Sequence, residues 1–310
     1  MIALARSPWM KRWIQDSRAT SAIATRYVAG ETAEKGVVRA SELLKQKGLR
    51  SSLFYLGEYV DKPELVEQNL TAKIEVTGLL ERAGLDVHVS VDPTQLGFLL
   101  DQGWARRNAF AIAEAIAGAS AGRTGVHALM LDMEDLSVVD ATISLHDALN
   151  HARLPAALTL QAYLHRTEAD LRSLIGRGCR VRLVQGAFAA GGDVAFVGQS
   201  AIKANSRRLI DLMLSGEARD AGFYPIVATH DDKLHAHAIE RAQKYGWRPD
   251  EYEFEMLLGV RGDLAARLAA AGQQVRLYVP FGRDWWPYAV RRIGENPRNA
   301  WLLARSLVDL

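Results

Sequence analysis

The chain has 310 residues, of which 49% are hydrophobic and 24% are charged, a composition typical of a globular protein with a sizeable core. Its net charge of +2 gives no strong field for a nucleic acid or an anionic membrane, so neither kind of binding protein is indicated. The single cysteine, Cys179, excludes an intrachain disulfide and a cysteine-based zinc cluster and fits a reducing, cytoplasmic compartment. No run of about 18 apolar residues predicts a transmembrane helix.

Residues 1–50 are predicted to form an N-terminal helical arm. Apolar residues recur at helical spacing through residues 9–28, which indicates one amphipathic helix. A second helix is predicted over residues 31–47, beginning at Thr32 as its cap and stopped by Gly48.

Eight short β-like runs follow this arm and alternate with helical runs. The predicted strands are Ser52–Leu56, Val87–Val91, Ala128–Leu131, Ala157–Ala162, Val181–Val184, Pro225–Ala228, Tyr252–Glu255 and Val275–Val279. Eight strand-helix units predict an α/β protein whose residues 51–310 form one (β/α)₈ barrel of the TIM type. A doubly wound sheet is the alternative, but it usually has fewer strands and a glycine-rich first turn, and no G-x-G-x-x-G motif occurs here.

In such a barrel the functional residues lie at the carboxyl ends of the strands. The predicted strand ends carry a ring of polar residues, namely Glu58, Asp92, Asp132, Gln161, Arg182, Gln185, Thr229, His230, Glu255 and Tyr278. Gly186 would let a ligand approach the backbone after strand 5, although a plain strand-to-loop exit explains it as well.

Two other kinds of site are weighed against this ring. Glu58 and Asp132 could supply the paired carboxylates of a glycosidase, but clustered arginines are not needed for that chemistry. His230 is followed by His235 and His237, which are two residues apart on a predicted helix and would face different sides. No metal site is therefore expected.

The C-terminal stretch Val275–Asn299 begins as a strand that Pro280 is expected to stop, and Pro287 is expected to open a helix. Four residues share one face of that helix at positions i, i+3, i+4 and i+7: Tyr288, Arg291, Arg292 and Glu295. Two guanidiniums beside a tyrosine suit a carboxylate or a phosphate. A solvated basic turn is the alternative explanation.

Six stretches resemble the FAD-dependent proline dehydrogenases, including the proline dehydrogenase domain of the bifunctional proline utilization A proteins. They are LGE (56–58), QAY (161–163), RLVQGAF (182–188), ATHD (228–231), YEFEMLLGVR (252–261) and RLYVPFGRDWWPYAVRR (276–292). The resemblance runs from about residue 50 to the C-terminus and implies a distorted (β/α)₈ barrel that holds FAD at the strand ends.

The resemblance also implies roles for individual residues. Arg291 and Arg292 match the pair that clamps the substrate carboxylate, and Glu58 matches an acidic residue that pairs with them. The other implied substrate-pocket residues are Asp132, Leu257, Tyr278 and Tyr288. The implied FAD-binding positions are Gln161, Arg182, Val184, Gln185, Gly186, Thr229, His230 and Glu295.

Three departures from the family pattern concern the same site. Asp92 stands where the family has a lysine of the carboxylate site, and Gln185 and Phe188 replace a lysine and a tyrosine. Val197 and Gln199 replace a threonine and a lysine on the FAD side. Asp92 would favour a substrate that carries a hydroxyl or an extra cation, unless it turns outward and only caps the next helix.

The implied activity is oxidation of L-proline, or of a closely related cyclic secondary amino acid, to the imine 1-pyrroline-5-carboxylate by hydride transfer to FAD. A quinone is the implied electron acceptor, with peripheral contact at the inner face of the membrane. The alternatives are a family member with another substrate, such as hydroxyproline or another cyclic amine, and a barrel enzyme that acts on an anionic substrate without flavin.

Overall fold

A computed structural model describes residues 26–57, 60–188 and 190–294, except for the side chains at 290, 291, 293 and 294. Eight parallel strands close into a barrel, and each strand pairs with its neighbours in sequence order. The strands are β1 Arg50–Tyr55, β2 His88–Val91, β3 Ala128–Leu131, β4 Ala156–Gln161, β5 Arg180–Val184, β6 Tyr224–Ala228, β7 Glu253–Leu257 and β8 Val275–Phe281. The predicted (β/α)₈ barrel is therefore confirmed.

Helices connect the strands on the outside of the barrel. They are α1 Ala33–Lys47, α2 Pro63–Arg82, α3 Gln102–Ala119, α4 Val139–His151, α5 Thr167–Ile175, α6 Gln199–Met213, α7 Gly216–Asp220, α8 Asp232–Lys244, α9 Gly262–Ala270 and α10 Trp285–Gly294. Short 3₁₀ turns, Pro93–Leu96 and Leu136–Val138, follow β2 and β3. None of these described helices is long and apolar enough to cross a bilayer.

Helix α1 begins and ends where the sequence predicts. The Thr32 hydroxyl accepts a hydrogen bond from the Lys35 amide at 3.4 Å, and Gly48 terminates the helix in the left-handed conformation with φ 65°. Its buried face joins the core between the helices and strands. The predicted helix over residues 9–28 lies almost entirely outside the described residues, and the division of the chain at residue 50 stays a prediction.

The side chains of each strand alternate between two apolar regions. In β3, Leu129 and Leu131 belong to the large core between the barrel and its helices, whereas Ala128 and Met130 form a smaller cluster with residues of β4 and β6. This alternation follows from the two-residue repeat of a strand. The small cluster leaves room at both ends of the barrel for polar side chains.

The amino-terminal end of the barrel is closed by a buried charge network around Arg276 of β8. Its guanidinium donates to Glu253 at 2.8 Å, to the Ser51 carbonyl at 2.9 Å and to Asp86 at 2.9 Å. Arg276 and Glu253 are both completely buried. The network ties β7 and β8 to β1, so it secures the seam at which the first and last strands meet.

Two expectations about the C-terminal stretch are wrong. Strand β8 continues through Pro280 to Phe281, because proline removes only an amide donor, while its carbonyl still accepts a hydrogen bond from the Ala29 amide at 2.8 Å. Helix α10 begins at Trp285 rather than at Pro287. Pro287 still lies in the first turn, where amides have no partner within the helix.

Candidate active site

A cavity of about 1060 Å³ opens at the carboxyl ends of the strands, at the upper end of the range of about 300–1000 Å³ for small-molecule pockets. Every predicted site residue whose side chain is described lines this cavity. These residues are Asp92, Asp132, Gln161, Arg182, Val184, Gln185, Gly186, Thr229, His230, Leu257, Tyr278, Tyr288 and Arg292. The remaining three predictions, Glu58, Glu295 and the side chain of Arg291, lie outside the described part of the chain.

Arg182 of β5 is the centre of a buried polar network in the cavity wall. Its Nε donates to the Thr159 hydroxyl at 3.1 Å, one terminal nitrogen donates to Glu255 at 2.6 Å, and the other donates to Asp132. Tyr278 adds a hydrogen bond from its hydroxyl to the second oxygen of Asp132 at 2.8 Å. Four strands are thereby cross-linked at the base of the cavity.

Burial and charge act in opposite directions on the pKa values of this network. Burial raises the pKa of Asp132 and Glu255, and the adjacent Arg182 charge opposes that rise. Burial disfavours the Arg182 cation, but the two carboxylates outweigh burial and raise its pKa. Burial and the Asp132 charge raise the pKa of Tyr278 well above its usual value, so its hydroxyl stays a neutral donor. Arg182 therefore stays a cation, paired with the two carboxyl groups.

Asp92 is the N-cap residue of the 3₁₀ turn after β2, as the alternative predicts, and it also lines the cavity. Its amide donates to the Gln95 side chain at 3.2 Å. Gln95 also donates to the carbonyls of Tyr55 and Gly57 at 2.9 and 3.0 Å. These bonds fasten the Asp92 turn to the end of β1 and fix the backbone from which the carboxylate projects.

His230 presents a neutral ring to the cavity. Its Nε2 accepts a hydrogen bond from the Leu257 amide at 3.0 Å, which places the ring proton on Nδ1. Burial, with like charges such as Arg292 nearby, lowers the pKa of His230 to about 4. At neutral pH the ring is thus a fixed hydrogen-bond donor through Nδ1.

Gln161 offers a hydrogen-bond acceptor, whereas His230 offers a donor. Its amide nitrogen donates to the Glu134 carbonyl at 3.2 Å, while its buried Oε1 has no hydrogen-bond partner among the described residues. A buried acceptor in this state costs about 1–3 kcal/mol, so its position in the cavity wall suits a ligand with an N–H or O–H donor.

Gly186 lines the cavity and packs closely against Tyr163. Its φ is 97°, and a side-chain carbon at this position would collide with the ring of Tyr163. A contact within the protein therefore accounts for a glycine here, and close approach of a ligand to this turn stays a prediction.

The rim of the cavity carries both neutral and cationic side chains. Gln185 donates to Gln199 at 3.0 Å, so two amides stand where the family pattern has two lysines. Lys203, one turn further along α6 than Gln199, and Arg261 also line the cavity, and Lys203 pairs with Asp231 at 2.7 Å. Positive charge is consequently supplied by Lys203 of α6 and by Arg261, which precedes α9, rather than by the β5 loop.

The sequence analysis did not assign Thr159 and Lys203. Thr159 lies between Leu158 and Leu160 on β4, so strand alternation alone places it inside the barrel. No sequence pattern indicated that Lys203 lines the cavity, because exposed lysines are common on helices. The two neighbouring histidines of α8 separate as expected: His235 packs edge-on against a phenylalanine ring at 4.8 Å, and His237 pairs with Asp211 at 2.8 Å.

The closed parallel barrel and the polar cavity at its strand ends define a TIM-barrel enzyme. The family model for proline dehydrogenase matches residues 37–305. The chain is 32% identical over 299 residues to proline dehydrogenase of Deinococcus radiodurans, covering 92% of this chain and 90% of that protein. It is 31% identical over 258 residues to proline dehydrogenase 2 of Bacillus subtilis, covering 83% and 81%. The chain belongs to the proline dehydrogenase family, a family of oxidoreductases.

Solved structures show the same fold. Proline utilization A from Bdellovibrio bacteriovorus, inactivated by N-propargylglycine, has a TM-score of 0.75 and 19% identity over 92% of this chain. Proline utilization A from Corynebacterium freiburgense has a TM-score of 0.73 and 24% identity over 94% of this chain. The match covers 34% and 33% of those longer chains, so this chain corresponds to about a third of each.

Proposed function

We propose that this chain is an FAD-dependent dehydrogenase that oxidises L-proline to 1-pyrroline-5-carboxylate. The supporting observation is that the predicted substrate and cofactor residues with described side chains all meet in one cavity. In the reaction, C5 of the proline ring loses a hydride and the ring nitrogen loses a proton, which leaves a C=N double bond. A quinone is the proposed acceptor of the electrons afterwards.

The residues present fit FAD. The partnerless Gln161 Oε1 is an acceptor for a ring N–H, the neutral His230 is a donor, and Arg182 supplies a permanent cation. FAD, when bound, accepts the hydride. The protein residues hold and orient the reactants and exclude water. Glu295 is proposed as a further FAD contact.

The substrate is proposed to bind by its carboxylate and its ring. The Arg292 guanidinium lies over the Tyr288 ring at 5.4 Å from the ring centroid and lines the cavity. The aromatic ring therefore supports one face of the guanidinium. Leu257 and Tyr278 line the same cavity and offer an apolar and an aromatic surface to a five-membered ring. Arg291 is proposed as the second carboxylate contact, and Glu58 as its acidic partner.

Replacing Arg292 by Ala is expected to weaken binding of the carboxylate inhibitor tetrahydro-2-furoate by about 1.5–3 kcal/mol, because a charge-assisted hydrogen-bonding fork is lost. The measurement is calorimetric titration of the flavin-loaded protein. The matched control is Arg207→Ala, an exposed arginine on α6, which should leave affinity unchanged. Equal affinity in wild type and Arg292→Ala would remove Arg292 from the carboxylate site.

FAD is expected to be bound without a covalent link. The single cysteine, Cys179, directly precedes β5 at the amino-terminal end of the barrel, and Nε2 of His230 is occupied by the Leu257 amide. Acid precipitation should therefore release the yellow flavin into the supernatant. A yellow pellet would contradict this expectation.

The proposed activity is tested by anaerobic titration of the purified yellow protein with L-proline, hydroxyproline and other cyclic amines. L-Proline should bleach the flavin absorbance more efficiently than the other compounds do. A colourless protein that takes up no FAD would refute the flavin assignment. A yellow protein that is bleached by hydroxyproline but not by proline would retain the flavin and change the substrate.

A further inference from the structure

The carboxylate of Glu134, in the loop after β3, connects two parts of the cavity wall. Its Oε2 accepts a hydrogen bond from the Thr94 amide at 2.9 Å, and its Oε1 accepts one from the Thr94 hydroxyl at 3.0 Å. Thr94 is buried and belongs to the 3₁₀ turn after β2. Both carboxylate oxygens therefore bond one residue of the neighbouring turn, and a two-point contact of this kind fixes orientation as well as distance.

The backbone of the same loop holds the side chain of Gln161, at the end of β4. The Gln161 side-chain nitrogen donates to the Glu134 carbonyl at 3.2 Å and to the Met133 carbonyl at 3.4 Å. Both carbonyls are acceptors, so they select the NH₂ end of the Gln161 amide. The other end is Oε1, which is buried and has no partner among the described residues. The β3 loop thus determines which end of Gln161 is left for a ligand.

These bonds hold the loop beyond the point where the sheet stops doing so. The last paired residue of β3 is Leu131, and the Asp132 amide still donates to the Val91 carbonyl at 2.9 Å. Glu134 lies two residues further along, where its side chain bonds the β2 turn and its carbonyl bonds the end of β4. Glu134 therefore connects the carboxyl ends of three consecutive strands on one side of the cavity.

The contact between Thr94 and Glu134 does not depend on a charged side chain. Both donors belong to Thr94 and are neutral. Burial raises the pKa of Glu134, the Thr94 bonds lower it, and the charges of Asp132 and Asp135 raise it. A glutamine at this position can accept from the Thr94 amide and donate to the Thr94 hydroxyl, so it has the groups to keep both contacts. Replacement by glutamine therefore separates geometry from charge.

We propose that Glu134 is a positioning residue for the cofactor, because its two bonds to Thr94 hold the β3 loop whose carbonyls leave the Gln161 acceptor available to the flavin. This inference rests on the proposed function, which supplies the FAD. Gln161 makes the contact with the cofactor, and Glu134 acts through Gln161. Without the Thr94 contact the loop is released, and the Gln161 amide is free to rotate away from the orientation that the ligand needs.

The test measures FAD affinity by equilibrium dialysis of the flavin-loaded proteins. Glu134→Met removes both contacts with Thr94 and should weaken FAD binding about five- to tenfold, which corresponds to one lost hydrogen bond. Glu134→Gln should stay within about twofold of wild type, because both contacts can form again. The matched control is Glu168→Met on α5. It removes the partner of Arg172 and Arg208, lies outside the residues that line the described cavity, and should leave FAD affinity unchanged.

A double-mutant cycle with Gln161→Met shows whether Glu134 acts through Gln161. Gln161→Met removes the acceptor and should itself weaken FAD binding about tenfold. Adding Glu134→Met should cause less than about twofold further loss, because the group that the loop orients is gone. Three results would each overturn the proposal: effects that multiply in the double variant, equal weakening by Glu134→Gln and Glu134→Met, or unchanged FAD affinity in Glu134→Met.

Thr94→Val keeps the inference testable where Glu134→Met does not fold. It removes only the hydroxyl donor, so it should weaken FAD binding about threefold, and this loss should vanish in the Gln161→Met background. Unchanged FAD affinity in Thr94→Val would contradict the proposal. If wild type takes up no FAD, the proposed function fails and the flavin role of Glu134 fails with it. If wild type binds FAD and the loss in Glu134→Met persists without Gln161, only the positioning inference fails.

Discussion

Replacing Arg182 by Met is expected to lower the free energy of unfolding by about 3–5 kcal/mol. The guanidinium bonds both Asp132 and Glu255, and all three side chains are almost completely buried. Methionine fills similar space but leaves two carboxylates without a cation in a site of low polarity. The loss should appear as a lower urea midpoint with an unchanged slope.

The loss should also depend on pH. Burial already raises the pKa of Asp132 and Glu255, and Arg182 opposes that rise. Without Arg182 both pKa values rise further above those of the unfolded chain, so the folded state binds more protons than the unfolded state. Stability then increases as pH falls. The difference between variant and wild type should therefore shrink from pH 7 to pH 5.

Two controls separate stability from cofactor binding. Arg207→Met removes an exposed arginine that forms no ion pair within the described part of the chain, and should change stability by less than about 0.5 kcal/mol. Arg276→Met breaks the buried network at the opposite end of the barrel, so it should destabilise the protein comparably without lowering FAD affinity in the folded state. An Arg182→Met cost below about 1 kcal/mol would contradict the assigned role of the network.

Gly186→Ala is expected to lower the free energy of unfolding by about 2–5 kcal/mol. The position has φ 97°, which disfavours any side chain, and the added carbon would collide with the Tyr163 ring. The matched control is Gly272→Ala, which has φ 81° and no atom within 4 Å of the added carbon. The control should lose only the part of the free energy of unfolding that comes from the disfavoured backbone conformation, about 1–2 kcal/mol.

A second substitution tests whether the collision with the Tyr163 ring causes the loss of stability in Gly186→Ala. In the Gly186→Ala background, replacing Tyr163 by Val removes the ring and should recover part of the lost stability, whereas Tyr163→Phe keeps the ring and should recover none. Thermal unfolding of the four proteins measures this. Equal losses for Gly186→Ala and Gly272→Ala would mean that Tyr163 moves aside and that only the backbone conformation matters.

The barrel was predictable from the sequence because each strand and helix carries its own local signal. Eight apolar runs separated by amphipathic helices leave few architectures open, and polar residues at the strand ends locate the cavity. Strand ends were less predictable. Leu257 proves to be the last residue of β7, and β8 passes through Pro280, because pairing with neighbouring strands outweighs local preference.

Contacts between side chains of different strands could not be predicted from the sequence. Asp132 meets Arg182 and Tyr278 across separations of 50 and 146 residues, and such pairings depend on the register of the closed sheet rather than on any one segment. Lys73 did leave a signal, since Val66, Asn69, Lys73 and Leu80 fall on one buried face of α2. A lysine at core spacing indicates a buried amine, but only the structure shows that it donates to Asn69 at 3.0 Å and lies against the Tyr55 ring.

The seam between β1 and β8 governs when this protein can fold during synthesis. The register joins Arg50 to Arg276 and Tyr55 to Phe281, and the Arg276 network bridges the same strands. A nascent chain that ends before β8 therefore has two open sheet edges, on β1 and β7, and lacks the arginine that pairs with Glu253. Exposed edges of this kind recruit other chains. The two edges are covered only when the last strand has emerged from the ribosome and has paired with β1 and β7, and this pairing protects the barrel from aggregation.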